Sequence, residues 1–224
     1  MIKINNRLKC VASFINENDH AILDVGCDHA LLDIYLLEQN NDLKIIASDI
    51  NKGPLKKAQE NIEKNHASDK ITLKLADGLE SIEQDIDTVI ISGMGTETIV
   101  SILNRKKDEL HHVNKLILSS NNKFQELRQQ VILLGFKINR EKIIFEDNKF
   151  YIIIEFVKGT KQYTSHELYF GPYLLKNKND LFNKYYSYIK EKKEQVLHNL
   201  PSSLIDKKNK LENEIKLLTK ELNS

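Results

Sequence analysis

Ala21-Ile22-Leu23-Asp24-Val25-Gly26-Cys27-Asp28-His29-Ala30 is a short apolar run that carries one acid, turns at a glycine and leads into a helix-patterned segment. Five apolar-rich residues closed by glycine are too few for a helix and read as a strand buried on both faces. The following segment, expected to be helical from Ala30 to Gln39, makes this a strand–turn–helix unit of a parallel sheet. Gly26 lets the backbone pass close beneath a ligand, with Cys27 next to it in the same turn. Asp24 is placed to hold a ligand ammonium group, directly or through water. The alternative is a tight turn that binds nothing.

The same alternation continues outward. Further strands are expected at Lys44–Asp49, Ile71–Ala76, Asp87–Ser92 and Lys115–Ser119, with helices at Pro54–Lys64, from Thr96, and at Phe124–Leu134 closed by Gly135. Pro54 suits a first helical turn. Two last strands, Lys137–Ile144 and Phe150–Phe156, flank the polar loop Glu146-Asp147-Asn148-Lys149 and form a hairpin. Repeated strand–helix units argue for an α/β fold with helices on both faces of the sheet. Seven mostly parallel strands ending in a hairpin indicate the Rossmann-like class I methyltransferase fold, since dehydrogenase domains usually lack that hairpin.

Residues 159–224 are rich in Lys, Leu, Asn and Glu. Leu204, Lys208, Leu211, Ile215, Leu218 and Leu222 repeat at spacings of 4, 3, 4, 3 and 4, the pattern of a coiled-coil seam. Leu174, Leu181, Tyr185, Tyr188, Ile189 and Val196 form a looser stripe before Pro201. Ser202 and Ser203 offer a cap for the second helix. Two domains are expected: a nucleotide-binding part at 1–158 and a helical coiled-coil hairpin at 159–224.

Acids close further strands. Asp49, in Ser48-Asp49-Ile50, lies just over 20 residues past Gly26, the distance at which a carboxylate accepts from a ribose hydroxyl pair; Ile50 borders the same site. Asp77 can accept the exocyclic amine of adenine while Gly78 presents its N–H to the ring. Capping and turn-forming roles compete for Asp49 and Asp77, but three acidic strand ends in succession are more specific than any one. Gly93, Met94 and Gly95 follow the fourth strand and permit a close backbone approach, although a simple turn would look the same.

Together, Asp24 to Ala30, Tyr35, Ser92-Gly93-Met94-Gly95, Leu118-Ser119-Ser120-Asn121 and Phe170-Gly171-Pro172-Tyr173-Leu174-Leu175 resemble the bacterial tRNA (adenine-22-N1)-methyltransferases. The resemblance spans almost the whole chain. It implies S-adenosyl-L-methionine as cofactor, held by Asp24, Gly26, Cys27, Asp49, Ile50, Asp77, Gly78, Gly93 and Met94. It implies tRNA as substrate and methylation at adenine N1, with Asp28 acting on the base, His29 and Asn121 contacting it, and Tyr35 shaping its pocket. Asp28 could instead cap the following helix, and His29 could merely begin it. The chain departs from the family at Ala30-Leu31-Leu32-Asp33, often Ala-Tyr-Leu-Pro, and at Ser119-Ser120-Asn121, often Gln-Pro-Asn. The class also usually has glycine where Asp28 and Ala30 stand.

Bulk composition agrees with a globular enzyme. No apolar run reaches the roughly 20 residues of a membrane span, and the start lacks a secretory pattern, so a cytoplasmic protein is expected. The two cysteines make no zinc cluster; no metal and a monomer are expected. Residues 1–158 carry 21 basic and 24 acidic side chains, residues 159–224 carry 12 and 8. The positive surplus therefore lies in the helical segment, as for a nucleic-acid-facing part or simply a solvated surface. Methylation of another RNA or a small molecule, and tRNA binding without catalysis, are the competing functions.

Overall fold

The computed structural model describes residues 2–201 and 203–224, which divide into two compact units, Met1–Leu175 and Lys176–Ser224. In the first, α1 (Asn6–Ala12) precedes β1 (Ala21–Val25), α2 (Leu31–Gln39), β2 (Lys44–Asp49), α3 (Lys52–Lys64), β3 (Ile71–Leu75), β4 (Thr88–Met94), α4 (Thr96–Arg105), β5 (Lys115–Ser120), α5 (Phe124–Leu133), β6 (Phe136–Glu146), β7 (Lys149–Lys158), α6 (Ser165–Phe170) and α7 (Pro172–Lys176). The seven strands form one sheet in the order β3-β2-β1-β4-β5-β7-β6. Neighbours among β1 to β5 run parallel, and β7 runs antiparallel to β5 and β6. β1 and β5 are buried at every residue, which is why their sequences read as unbroken strands and not as alternating ones.

The terminal hairpin is tighter and longer than its sequence suggests. Glu146 pairs with Lys149, so the expected four-residue loop shrinks to Asp147 and Asn148, with φ of 50° and 58°. Two successive positive φ values are what a type I′ turn requires, and short polar residues tolerate them. Leu118 pairs with Ile154. Because β5 ends at Ser120, β7 begins beyond the carboxyl edge of the sheet. That projecting tip holds α1: Glu146 accepts the N–H groups of Asn6 and Arg7 at 2.6 and 3.1 Å, while the Asn5 side chain caps Leu8 N–H at 2.9 Å.

The first unit runs past the Lys158 boundary expected from composition. Arg128 and Glu141 are fully buried and paired, Nε donating to Oε1 at 2.7 Å. Arg128 Nη1 also donates to the Leu168 carbonyl at 2.9 Å, and Tyr173 N–H donates to Glu141 Oε2 at 3.0 Å. Gly171 covers this pair so closely that a Cβ there would lie 2.7 Å from Arg128 Nη2. Residues 165–175 are thereby tied to α5 and β6, and Leu174 belongs to α7 and not to the stripe of the next helix.

The second unit pairs α8 (Asp180–His198) with α9 (Ile205–Leu222). Lys178 meets Glu221 at 2.6 Å and Lys193 meets Glu214 at 2.5 Å, which fixes an antiparallel hairpin. The expected seam closes only in part: Leu218 is buried, Leu211, Ile215 and Leu222 are half-buried, and Leu204 and Lys208 are exposed. Tyr188 and Val196 are likewise exposed, and Phe182, Tyr185 and Tyr186 are the buried residues of α8. The residue at the α9 cap position is Leu204, with no side-chain hydrogen bond; Ser203 does not cap it, and Ser202 lies outside the described residues.

Arg128→Ala leaves the Glu141 carboxylate buried without its partner. Loss of one member of a buried pair costs about 3–5 kcal/mol, so the melting temperature should fall by roughly 10 °C for a unit of this size. Calorimetry of the wild type and variant reads this; a shift within about 2 °C would show that the pair does not hold the 165–175 segment.

Candidate functional site

Strand order reverses between β1 and β4, and doubly wound sheets open a crevice at the carboxyl ends of such strands. The turn after β1 forms its floor. Gly26 and Cys27 both donate backbone N–H to the Ser48 carbonyl, at 2.8 and 2.9 Å, locking the turn onto the end of β2. Gly26 has φ of 78°, and a Cβ there would stand 2.5 Å from Met94 Cε. Asp28 and Ala30, where the class usually has glycine, still adopt φ of 53° and 54°. Left-handed backbone disfavours side chains, so this turn keeps its shape at a cost that such sites characteristically carry.

Asp28 does not cap α2. Ala30 holds that position, without a side-chain bond, and the Asp28 side chain is 73% exposed. His29 Nδ1 lies 3.4 Å from Asp28 Oδ1 but makes no aligned hydrogen bond. Both side chains line a cavity of about 70 Å³ together with Asp24, Arg7 and Ser92. Arg7 donates from Nη1 to Ser92 Oγ at 3.1 Å and sits over the Tyr151 ring, 5.5 Å from its centroid. Burial pushes the Asp24 carboxyl up to about 7, against the pull of Arg7 and with a further push from Asp49.

Asp33 lies on α2 with both carboxylate oxygens buried and no hydrogen-bond partner among the described residues. Burial, and then the charge of Asp24, hold its carboxyl well above the usual range. Cys27 is also buried, and burial followed by the surrounding aspartates drives its thiol far above the ordinary thiol range.

At the neighbouring strand ends, Asp49 Oδ1 accepts Asn51 N–H at 2.8 Å, and Ile50 is 63% exposed, so a carboxylate stands next to a bare apolar side chain. Asp77 is in a different state from the one expected. Arg105 grips it in a fork, Nη1 to Oδ2 at 2.6 Å and Nη2 to Oδ1 at 2.9 Å, and the guanidinium holds its carboxyl below the usual range. Gly78 has φ of 61° and packs under Ile102, whose Cγ2 would be 2.9 Å from a Cβ.

β4 carries a bulge at its end, where pairing shifts between Ser92 and Met94, and Gly93 takes φ of 85°. Bulges at such places re-aim side chains. Asn121 clamps the bulge twice: Nδ2 donates to the Gly93 carbonyl and its backbone N–H to the Met94 carbonyl, both at 2.9 Å. Tyr35 is not among the residues lining the small cavity. It lies one turn past Leu31 and lines a separate groove of about 450 Å³ with Lys9, Ser13 and Asn16.

The sequence therefore brings Asp24, Gly26, Cys27, Asp28 and His29 together, with Met94 packed on Gly26. Arg7, Asp33, Ser92 and Arg105 were not assigned roles from sequence. Asp33 did leave a signal, a lone acid within Leu31-Leu32-Asp33-Ile34-Tyr35-Leu36-Leu37; the long-range arginine pairs left none. These groups could hold a nucleoside bearing an aminoacyl arm: a buried acid to accept from an ammonium, a strand-end acid to accept from ribose hydroxyls, an apolar neighbour for a ring. Among the described residues no cluster of His, Cys, Asp and Glu could hold a metal ion, and no helix is long and apolar enough to cross a membrane.

Residues 22–220 match the model of the TrmK family, tRNA (adenine(22)-N(1))-methyltransferase. The chain is 32% identical over 190 residues to the tRNA (adenine(22)-N(1))-methyltransferase of Bacillus subtilis (strain 168), covering 82% of this chain and 79% of that one. It is similar to M. capricolum TrmK solved with S-adenosyl-homocysteine: TM-score 0.87, 32% identity, 98% of each chain covered. It is also similar to a Streptococcus pneumoniae structure in complex with S-adenosyl-L-methionine: TM-score 0.91, 32% identity, 98% of this chain and 100% of that one covered.

Removing the Asp33 charge should change stability in a pH-dependent way. A carboxyl whose pKa is raised on folding destabilises the fold above its unfolded pKa, and the penalty vanishes below it. The stability of Asp33→Asn relative to wild type should therefore rise from pH 4 to pH 8. Denaturant unfolding at several pH values measures the difference; a gap constant with pH would mean that Asp33 ionises as easily folded as unfolded.

Proposed function

The chain belongs to the tRNA (adenine(22)-N(1))-methyltransferase family, and on that premise we propose that the crevice between β1 and β4 binds S-adenosyl-L-methionine and presents adenine N1 of a tRNA D-arm to its methyl group. The observation that carries this reading is the pair of acids Asp24 and Asp49, whose charges act on each other and on Cys27, beside the left-handed turn at Gly26, with Asp77 following the next strand of the same edge. Asp24 receives the ammonium of the aminoacyl arm, and Asp49 the ribose hydroxyls. Ile50, Asp77 and Gly78 border the adenine ring of the cofactor. Gly26, Cys27, Gly93 and Met94 form the backbone walls. Arg105 orients Asp77 through its forked pair.

The bound cofactor supplies a methyl group on a sulfonium, and the adenine N1 lone pair is the nucleophile, so no base has to remove a proton before attack. What the protein must do is take the base from its stack, align N1 and offset the positive charge that develops on the ring. The exposed carboxylate of Asp28 is suited to accept from the N6 amine and oppose that charge. His29 contacts the base beside it. Asn121 acts here by holding the Gly93–Met94 wall in place. Tyr35, on its separate groove, supports α2 in this reading.

The helical unit supplies phosphate contacts. Lysines exceed acids by four within Lys176–Ser224. Lys178, Lys190 and Lys193 are engaged with Glu221, Glu194 and Glu214, and Lys192 lies over Tyr188. Lys184, Lys207, Lys208 and Lys210 make no ion pair among the described residues and are the best placed to meet an RNA backbone.

Incubation with unmodified tRNA and labelled cofactor, followed by mapping of the product, tests the reading; absence of N1-methyladenine in the D-arm would overturn it. Asp49→Ala should raise the cofactor dissociation constant about tenfold or more, the worth of a charge-assisted hydrogen bond, with the fold intact; unchanged affinity in calorimetry removes Asp49 from the site. Replacing Lys184, Lys207, Lys208 and Lys210 by Gln should weaken tRNA binding and flatten its salt dependence while cofactor affinity holds. Equal salt slopes for variant and wild type would make the helical unit purely structural.

A further inference from the structure

Past the end of β5, the two sides of the β6–β7 tip differ. Side chains alternate across a strand, so Ile144 and Tyr151 face one way and Phe145 and Phe150 the other. The first pair packs against the core cluster that contains α1 and α2 residues, with Arg7 over Tyr151. On the second side, Phe145 and Phe150 form a cross-strand aromatic pair with centroids 4.6 Å apart, and Phe145 remains 48% exposed. It is one of two aromatic side chains among the exposed large hydrophobic residues, the other being Tyr188.

The position gives this pair its meaning. The tip stands beyond the carboxyl edge, where β1 and β4 open the crevice, and Arg7 links the tip to the rim by reaching from Tyr151 to Ser92 Oγ. Lys149 flanks the pair and is exposed. The nearest acid on β6, Glu146, has its oxygens occupied by the N–H groups that open α1, where a helix terminus offsets negative charge. The other acid of the tip, Asp147 in the turn, is exposed and is matched in number by the exposed Lys149, so the aromatic surface carries no net negative charge of its own.

We propose that Phe145, backed by Phe150, is a stacking platform for a tRNA base adjacent to the adenine that enters the crevice. The inference rests on the methyltransferase reading above. Extruding a base from a helical arm leaves its neighbours without a stacking partner, and aromatic side chains accept any base through its π-face. The platform thus makes extrusion less costly without reading sequence, and it acts on tRNA binding alone.

Phe145→Ala and Phe145→Tyr in the full chain test this. The alanine variant should bind unmodified tRNA about tenfold more weakly and show a similar rise in KM for tRNA. Its cofactor affinity and melting temperature should match wild type, and tyrosine should restore tRNA binding. Stacking releases no counterions, so the salt slope of tRNA binding should stay that of wild type, unlike that of the lysine variant. Wild-type tRNA affinity and KM in Phe145→Ala overturn the platform, as does a loss of tRNA binding matched by loss of cofactor binding or of thermal stability. A wild-type dimer in sedimentation that Phe145→Ala dissociates assigns the surface to a second copy of the chain and also overturns it. If wild type itself transfers no methyl group to tRNA, the functional reading and the platform fall together; if it does and Phe145→Ala is unaffected, the platform alone falls.

Discussion

The crossover that leaves β1 through α2 starts from one backbone junction. The Ser48 carbonyl at the end of β2 takes the N–H groups of Gly26 and Cys27, so the turn after β1 cannot move independently of the neighbouring strand. From β1 the sheet grows toward β2 on one side and β4 on the other. The connections that leave β1 and β4 therefore part at the carboxyl edge, and the junction fixes the floor of the gap that opens there. The groups proposed to hold the cofactor sit at the carboxyl ends of β1, β2, β3 and β4, on one edge of the sheet. The strained φ values at Asp28 and Ala30 follow from the same demand: the turn has to stay low enough to leave room above it, whatever side chains it carries.

Features written locally could be read from sequence, and those made by distant partners could not. Strands buried on both faces show as apolar runs, so β1, β2, β4 and β5 were placed within a residue or two. The acids at strand ends were visible because each follows its run directly. Arg105 reaches Asp77 across 28 positions, and Arg7 reaches Ser92 across 85; no periodicity encodes either. Tyr35 lies on a groove apart from the small cavity for a different reason. One helical turn separates it from Leu31, which does line the cavity, and spacing alone does not say where a groove ends.

The Phe170-Gly171-Pro172-Tyr173 motif shows how a recognisable stretch can carry structure in place of chemistry. Its glycine leaves room for the Arg128–Glu141 pair and its Tyr173 N–H completes the coordination of Glu141. A composition boundary at Lys158 overlooks this, because the charge balance changes before the packing does. Two fully buried ions need every lone pair and proton accounted for. The segment that supplies carbonyls to Arg128 Nη1 and the Tyr173 N–H to Glu141 is thereby made part of the sheet-bearing unit, although its residues resemble those of the helical one.

Both cysteines of the chain, Cys10 and Cys27, are buried with thiols held above their ordinary range. Reactivity belongs to the thiolate and to accessible sulfur, so burial and the raised pKa both slow alkylation of these thiols at neutral pH relative to an exposed cysteine. The native chain should therefore label slowly beside an exposed thiol. A single cysteine introduced at the exposed Asp147 or Asn148 of the hairpin turn would take up a dye or spin label selectively, and would report motion at the rim of the crevice without altering any other residue.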